Sequence, residues 1–162
     1  HGRALVDSHH ELPIVTASAE ELDSDLEPFE RLREAPMGMV AHILFTAWDA
    51  ERPSSQSPVV IEQIIRQRIG FNGLLMTDDI GMQALEGSAG ERSAKALAAG
   101  CDVTLHCSGK FDEMLDVAAN VGDLTADGEA RLARAMAGVM VADDGPEFAE
   151  CVAKRDELLA LA

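Results

Sequence analysis

Gly73-Leu74-Leu75-Met76-Thr77-Asp78-Asp79 is the stretch on which the fold of this 162-residue sequence turns. A short apolar run that stops abruptly in two carboxylates suits a strand covered on both faces, with its polar end at a sheet margin. The neighbouring segments supply the cover. Just upstream, VVIEQIIRQRI (59–69) has helical spacing; Ser57 is placed to cap it, Pro58 to open its first turn and Gly70 to end it. Before that, MGMVAHILF (37–45) is apolar apart from His42 and predicts another buried strand, followed by a polar loop over 46–57. Downstream, a loop containing Gly81, Gly87 and Gly90 leads to a predicted helix over 91–99, stopped by Gly100. CDVTLHC (101–107) then predicts a third strand and 111–120 a third helix. Strand–helix alternation of this kind is the signature of βαβ units and a parallel sheet. A doubly wound sheet and part of a TIM (β/α)8 barrel both fit. A whole barrel needs roughly 250 residues and eight strands. The barrel reading is therefore an α/β fold forming the C-terminal part of a barrel, about three parallel strands with their helices.

The flanks add less. Residues 1–17 carry Gly2 and Pro13, show no period and read as a loop. Ser18-Ala19-Glu20-Glu21 is a capping-box pattern, opening a helix to about Glu34 that Pro28 is expected to interrupt. Two acidic helices, about 128–141 and 146–159, are expected at the other end, so that 126–162 forms a helical C-terminal segment of one partial domain. The charge is −16, from 13 basic and 29 acidic side chains, with no basic run to neutralise phosphates. That argues against nucleic acid or an anionic membrane as partner. No stretch of 18 apolar residues is present to span a bilayer. Cys101, Cys107 and Cys151 are an odd number without short paired spacing, which argues against a disulfide scaffold or a metal site and fits a reducing, cytoplasmic setting. Each is expected to be a small buried hydrophobe. The chain starts at His1 rather than Met, which reads as a processed product or a fragment.

Parallel α/β folds gather their chemistry at the C-terminal ends of the strands. Asp78 and Asp79 stand there. Side chains alternate along a strand, so Asp78 shares a face with Leu74 and Met76 while Asp79 faces the other way, and one of the two points into a barrel mouth. An acidic pair complementing a following helix dipole is an equal alternative on spacing alone. Asp7-Ser8-His9 is the second constellation. In an extended segment, residues two apart lie on one side, so the Asp7 carboxylate can bond one imidazole nitrogen of His9 and raise the basicity of the other. As a bare pattern, Asp-x-His is also common in solvated loops.

Taken together these motifs resemble the bacterial β-N-acetylglucosaminidases of glycoside hydrolase family 3, the NagZ type. His1-Gly2, Asp7-Ser8-His9 and Leu12-Pro13 resemble the end of that family's Lys-His-Phe-Pro-Gly-His-Gly loop and the Asp-Ser-His that follows it. Ala41-His42-Ile43 with Asp49, Pro53 and Ser57-Pro58 is similar to its next strand and loop. Ile69-Gly70-Phe71, Gly73 and Thr77-Asp78-Asp79-Ile80 with Met82 resemble its nucleophile strand, and Ala99-Gly100-Cys101-Asp102 the strand after that. The resemblance runs unbroken over about residues 1–125.

It implies a retaining exo-β-N-acetylglucosaminidase acting on muropeptide-type fragments in peptidoglycan recycling. Asp78 would be the nucleophile, His9 the acid/base and Asp7 the residue orienting His9, with His1, His42 and Met82 near the sugar. No metal or cofactor is implied, and the expected partner is a small carbohydrate. The family's Lys-His pair and an earlier Asp and Arg that contact the sugar would lie before residue 1, so the chain alone is expected to be inactive. Read without the resemblance, His42 and His106 are better core histidines than ligands. Trp48 is more often packing than a sugar platform, and His10 is a solvated neighbour of His9. Two alternatives stay open: another family 3 glycosidase of the β-glucosidase type, which usually takes a Glu acid/base from a further domain, and a non-catalytic α/β module that binds a sugar or a partner.

Overall fold

The structure is a computed structural model and describes residues 2–139 and 148–160. Its elements run β1 (Ile14–Val15), α1 (Ala19–Arg31), β2 (Met37–Val40), β3 (Leu44–Phe45), a 3-10 turn (Ser54–Gln56), a π-helix (Val60–Arg68) and β4 (Leu74–Asp79). These are followed by α2 (Ala89–Ala99), β5 (Val103–Leu105), α3 (Phe111–Asn120), α4 (Ala126–Ala137) and α5 (Phe148–Leu159). β4 is the centre of a parallel three-stranded sheet of order β2-β4-β5, with Met37 opposite Leu74 and Val40 opposite Thr77. β1 and β3 form a separate parallel pair. The GLLMTDD stretch is thus a strand covered on both sides: Leu74, Leu75 and Thr77 are all buried. Leu75 packs with Leu26, Val40, Ile61, Ile69, Phe71, Ala99 and Cys101 in the main core. Burying each large apolar side chain there stabilises the fold by about 1.5–3 kcal/mol. This is the parallel α/β architecture expected of a partial barrel.

The expected single strand over 37–45 is two strands. β2 stops at Val40, and the chain turns so that Leu44 and Phe45 pair with Ile14 and Val15. His42, fully buried between them, causes the break by sending its ring to Ser55 and to the end of β4. Met37 and Met39 are exposed, so β2 is not covered on both faces as its composition implied. Residues 1–17 are likewise not all loop, since they include β1.

Ser18 and Glu21 form the expected capping box. Pro28, however, does not interrupt α1: with Leu22 and Leu26 buried against the core, the helix tolerates the one missing amide and ends at Arg31. Ser57 caps as expected, its Oγ accepting the Val60 amide at 3.1 Å. The helix after it is π rather than α, the Ile69 amide bonding the Ile64 carbonyl five residues back. Apolar residues at 60, 61, 64, 65 and 69 recur at spacings of four and five, which serve either form. α2 starts before the expected residue 91, because Ser88 caps it and Glu91 closes a capping box. Gly100 ends it in the left-handed conformation, φ 113°. α3 spans 111–120 as predicted; α4 begins earlier than predicted, at Ala126, capped by Thr125. Of the two expected terminal helices, residues 140–141 and 146–147 lie outside the described residues.

Asp102 joins three elements below the sheet. Its Oδ2 accepts from Arg66 Nη2 at 2.9 Å and from the Leu75 amide at 2.8 Å, and its Oδ1 accepts from Arg131 Nη1 at 2.8 Å. Arg66 also donates to the carbonyls of Phe71 and Gly73. Burial, and then the nearby charge of Arg131, pull the Arg66 pKa down.

Candidate active site

Asp78 and Asp79 end the central strand, both half-buried, with fully buried Thr77 before them. The two carboxylates have different partners. Asp79 Oδ1 accepts the amides of Gly81 at 2.9 Å and Cys107 at 3.1 Å, tying the turn after β4 to the chain leaving β5. Asp78 Oδ1 accepts the adjacent Asp79 amide at 2.8 Å. Asp79 is therefore built into the backbone on both sides, while the Asp78 carboxylate makes a local bond alone among those described. A helix-dipole role does not fit the pair, because α2 starts ten residues later at Ala89.

The Asp7–His9 pairing forms, by a different route from the one expected. The segment is a turn rather than extended: the amides of His10 and Glu11 both bond the Asp7 carbonyl, at 3.0 and 3.1 Å. The Asp7 Oδ1 accepts the His9 amide at 2.9 Å, a side-chain-to-backbone turn typical of aspartate, and meets His9 Nδ1 at 2.8 Å. This leaves Nε2 as the nitrogen that can exchange a proton. The bond to Asp7, then the Asp7 charge, raise the His9 pKa above its ordinary value, and the charges of Asp78 and Asp79 add to the rise. The His9 amide, then its ring, hold the Asp7 carboxyl low. The loop is docked backbone to backbone on the turn that follows β4: the Gln83 amide bonds the His9 carbonyl at 3.3 Å, and the Ala84 amide bonds the Ser8 carbonyl at 3.2 Å. Ser8 is buried beneath. The histidine and the acidic strand end are thereby parts of one construction.

The other sequence candidates separate. His42 is fully buried, its Nδ1 2.7 Å from Ser55 Oγ and its Nε2 3.0 Å from the Asp79 carbonyl, so both ring nitrogens are occupied and neither is left for a sugar. Met82 is buried, with its carbonyl held by Arg92. His1 lies outside the described residues. His10 is exposed. His106 is a largely covered histidine, its Nδ1 accepting the Ser108 amide and its Nε2 3.1 Å from Glu113. Trp48 packs on Phe45, ring centroids 4.9 Å apart. Cys101 is buried as expected, its thiol pushed up to about 12 by desolvation, whereas Cys107 and Cys151 are exposed. Sequence reasoning missed Arg92, whose Nη1 donates to the carbonyls of Ile80 and Met82 and braces the turn after Asp79. Its one signal was a cation one turn into the helix that follows the acidic pair. Among the described residues no group of three His, Cys, Asp or Glu could hold a metal ion, and no helix is long and apolar enough to cross a membrane.

Parallel strands returning through helices, with carboxylates and a paired histidine at the strands' C-terminal ends, are the arrangement of (β/α)8-barrel enzymes. Residues 1–140 match the family model described as the glycosyl hydrolase family 3 N terminal domain, and the chain belongs to that family. It is 39% identical over 114 residues to a β-hexosaminidase of Haemophilus influenzae, covering 67% of this chain and 32% of that protein. With a β-hexosaminidase of Chromobacterium violaceum it shares 40% over 113 residues, 67% of this chain and 31% of that one. Among solved structures, native NagZ from Neisseria gonorrhoeae matches with a TM-score of 0.67 and 31% identity, over 83% of this chain and 40% of that one. A family 3 β-N-acetylglucosaminidase from Paenibacillus matches with a TM-score of 0.74 and 26% identity, over 91% and 32%. The chain spans about a third of the length of the curated relatives it matches.

Proposed function

We propose that this chain provides the nucleophile strand and acid/base loop of a retaining exo-β-N-acetylglucosaminidase. Asp78 attacks the anomeric carbon as the glycosidic C–O bond breaks, and His9 Nε2 gives its proton to the departing oxygen. A glycosyl ester on Asp78 results. Water then attacks the same carbon, His9 Nε2 takes the proton from that water, and Asp78 leaves as carboxylate. Asp7 holds Nδ1 and keeps the imidazolium present to higher pH, which suits a group that must first be an acid.

The observation that carries this reading is the attachment of the Asp7–His9 turn to the segment following β4, with the Asp79 carboxylate engaged by two amides and Asp78 not so engaged. It is supported by the relatives named β-hexosaminidase and by a solved NagZ complex with N-trifluoroacetyl-D-glucosamine at 29% identity. The substrate we assign is an N-acetylglucosaminyl muropeptide fragment, and the setting cytoplasmic peptidoglycan recycling. A β-glucosidase-type member would draw its acid/base from elsewhere, and the preformed Asp7–His9 pair makes that second source unnecessary.

The test is made in the full-length protein. Asp78→Ala is expected to abolish turnover of a fluorogenic aryl β-N-acetylglucosaminide. His9→Ala is expected to cost about 10²–10⁴-fold on a disaccharide, whose leaving oxygen needs a proton, and far less on an aryl glycoside whose phenolate departs unaided. Equal losses on both substrates would remove His9 from the acid role.

A further inference from the structure

The end of β4 is held by a buried histidine that the proposed reaction does not consume. β2 accompanies β4 as far as the pairing of Val40 with Thr77 and then turns away. Beyond that point, on the side β2 has left, no strand among the described residues donates to the Asp79 carbonyl. His42 fills the place: its Nε2 lies 3.0 Å from that carbonyl. A carbonyl oxygen can only accept, so Nε2 carries the proton. Nδ1 of the neutral ring is then an acceptor, and Ser55, 2.7 Å away and fully buried, donates its hydroxyl to it. Desolvation, which pushes the His42 pKa down, agrees with a neutral ring. Two partners thus fix one tautomer and one orientation. On the other side, the Ile80 amide bonds the Leu105 carbonyl and Asp79 Oδ1 takes the Cys107 amide, so the strand end is gripped from both edges.

We propose that His42, oriented by Ser55, is a positioning residue: it replaces the ladder bond that β2 no longer makes and holds the Asp79–Ile80 peptide, one residue beyond Asp78, so that the Asp78 carboxylate lines up with the anomeric carbon. This rests on Asp78 being the nucleophile. Misplacing a reacting group by about 1 Å costs on the order of 10²-fold in rate.

The test uses the full-length protein and an aryl β-N-acetylglucosaminide, with Asp78→Ala as control. His42→Leu is expected to lower kcat by about 100-fold, with KM close to that of the unaltered protein. His42→Gln, whose side-chain amide reaches toward the same carbonyl, is expected to recover at least about tenfold of that loss. A merely structural role would instead lower the melting temperature of both variants and leave kcat per folded molecule alike. In the unaltered protein, ¹⁵N spectra of the His42 ring are expected to show a protonated Nε2 and an unprotonated Nδ1. Unchanged kcat in His42→Leu, no recovery in His42→Gln, or a proton on Nδ1 would each overturn the clamp. An active Asp78→Ala would overturn the nucleophile assignment instead, whatever the His42 variants do.

Discussion

Asp102→Asn should be among the most damaging single-atom changes available in this fold. The carboxylate is 3% exposed and faces Arg66 and Arg131, themselves 11% and 18% exposed, together with the Leu75 amide. Breaking one partner out of a buried ion pair costs about 3–5 kcal/mol, because the remaining charge stays buried and unpaired. Asparagine keeps one acceptor oxygen, which can serve Arg66 and Leu75, but it presents an NH2 group to Arg131 and removes the charge both arginines share. A loss of about 3 kcal/mol is expected from that. Asp102→Ala also orphans the Leu75 amide inside the central strand, adding about 1–3 kcal/mol. With a urea slope of about 2 kcal/mol per molar, the midpoint for Asp102→Asn should fall by about 1.5 M, and for Asp102→Ala by more. Circular dichroism of the full-length protein through a urea series measures this. A shift below about 0.5 M for Asp102→Asn would refute the reasoning, since it would mean the two arginines find water or other acceptors at no cost.

Asp7→Asn removes the charge that keeps His9 protonated, so the alkaline limb of the pH–rate profile should move to lower pH; a limb that stays put, or moves up, would detach Asp7 from His9. Asp79→Asn should retain substantial activity because an amide oxygen can still accept from Gly81 and Cys107, whereas Asp79→Ala should lower both stability and turnover, read from melting curves and steady-state kinetics. Residues 1–162 expressed alone should self-associate in light scattering and fail to hydrolyse the aryl glycoside, because Ile14, Met37 and Met39 present apolar strand faces to solvent. A monomeric, active product would refute the partial-barrel reading.

The sequence was most legible where local chemistry and tertiary demand coincide. Ser18 and Glu21, Ser57, Gly70 and Gly100 carry their capping signals within a few residues, and each acts as read. It misled where a distant partner decides the outcome. Nothing in MGMVAHILF shows that His42 would be drawn to Ser55 and Asp79, thirteen and thirty-seven residues away, and split the strand. Pro28 reads as a breaker until Leu22 and Leu26 are seen buried beside it. The Asp7–His9 bond was foreseen, but from strand alternation; a turn closed by the Asp7 carbonyl makes it instead, and Asp-Ser-His is compatible with both. That Asp78 and Asp79 face opposite ways was readable from strand alternation, but the partners of Asp79 were not, because the amides that occupy it come from a glycine turn and from the far end of another strand.

The attachment of the histidine loop through the carbonyls of Ser8 and His9 to the amides of Gln83 and Ala84 has an evolutionary corollary. Main-chain bonds of this kind do not depend on which side chains the four residues carry. Position 83, which is exposed, is therefore open to drift in size, charge and polarity without loosening the loop, whereas buried Ala84 is confined to small apolar residues; drift at 83 can reshape the ground beside His9 while leaving its anchorage intact. One residue type is barred from this freedom. Proline at either position deletes a donor, so lineages that diversify at position 83 should sample nearly the whole alphabet and leave out that single letter.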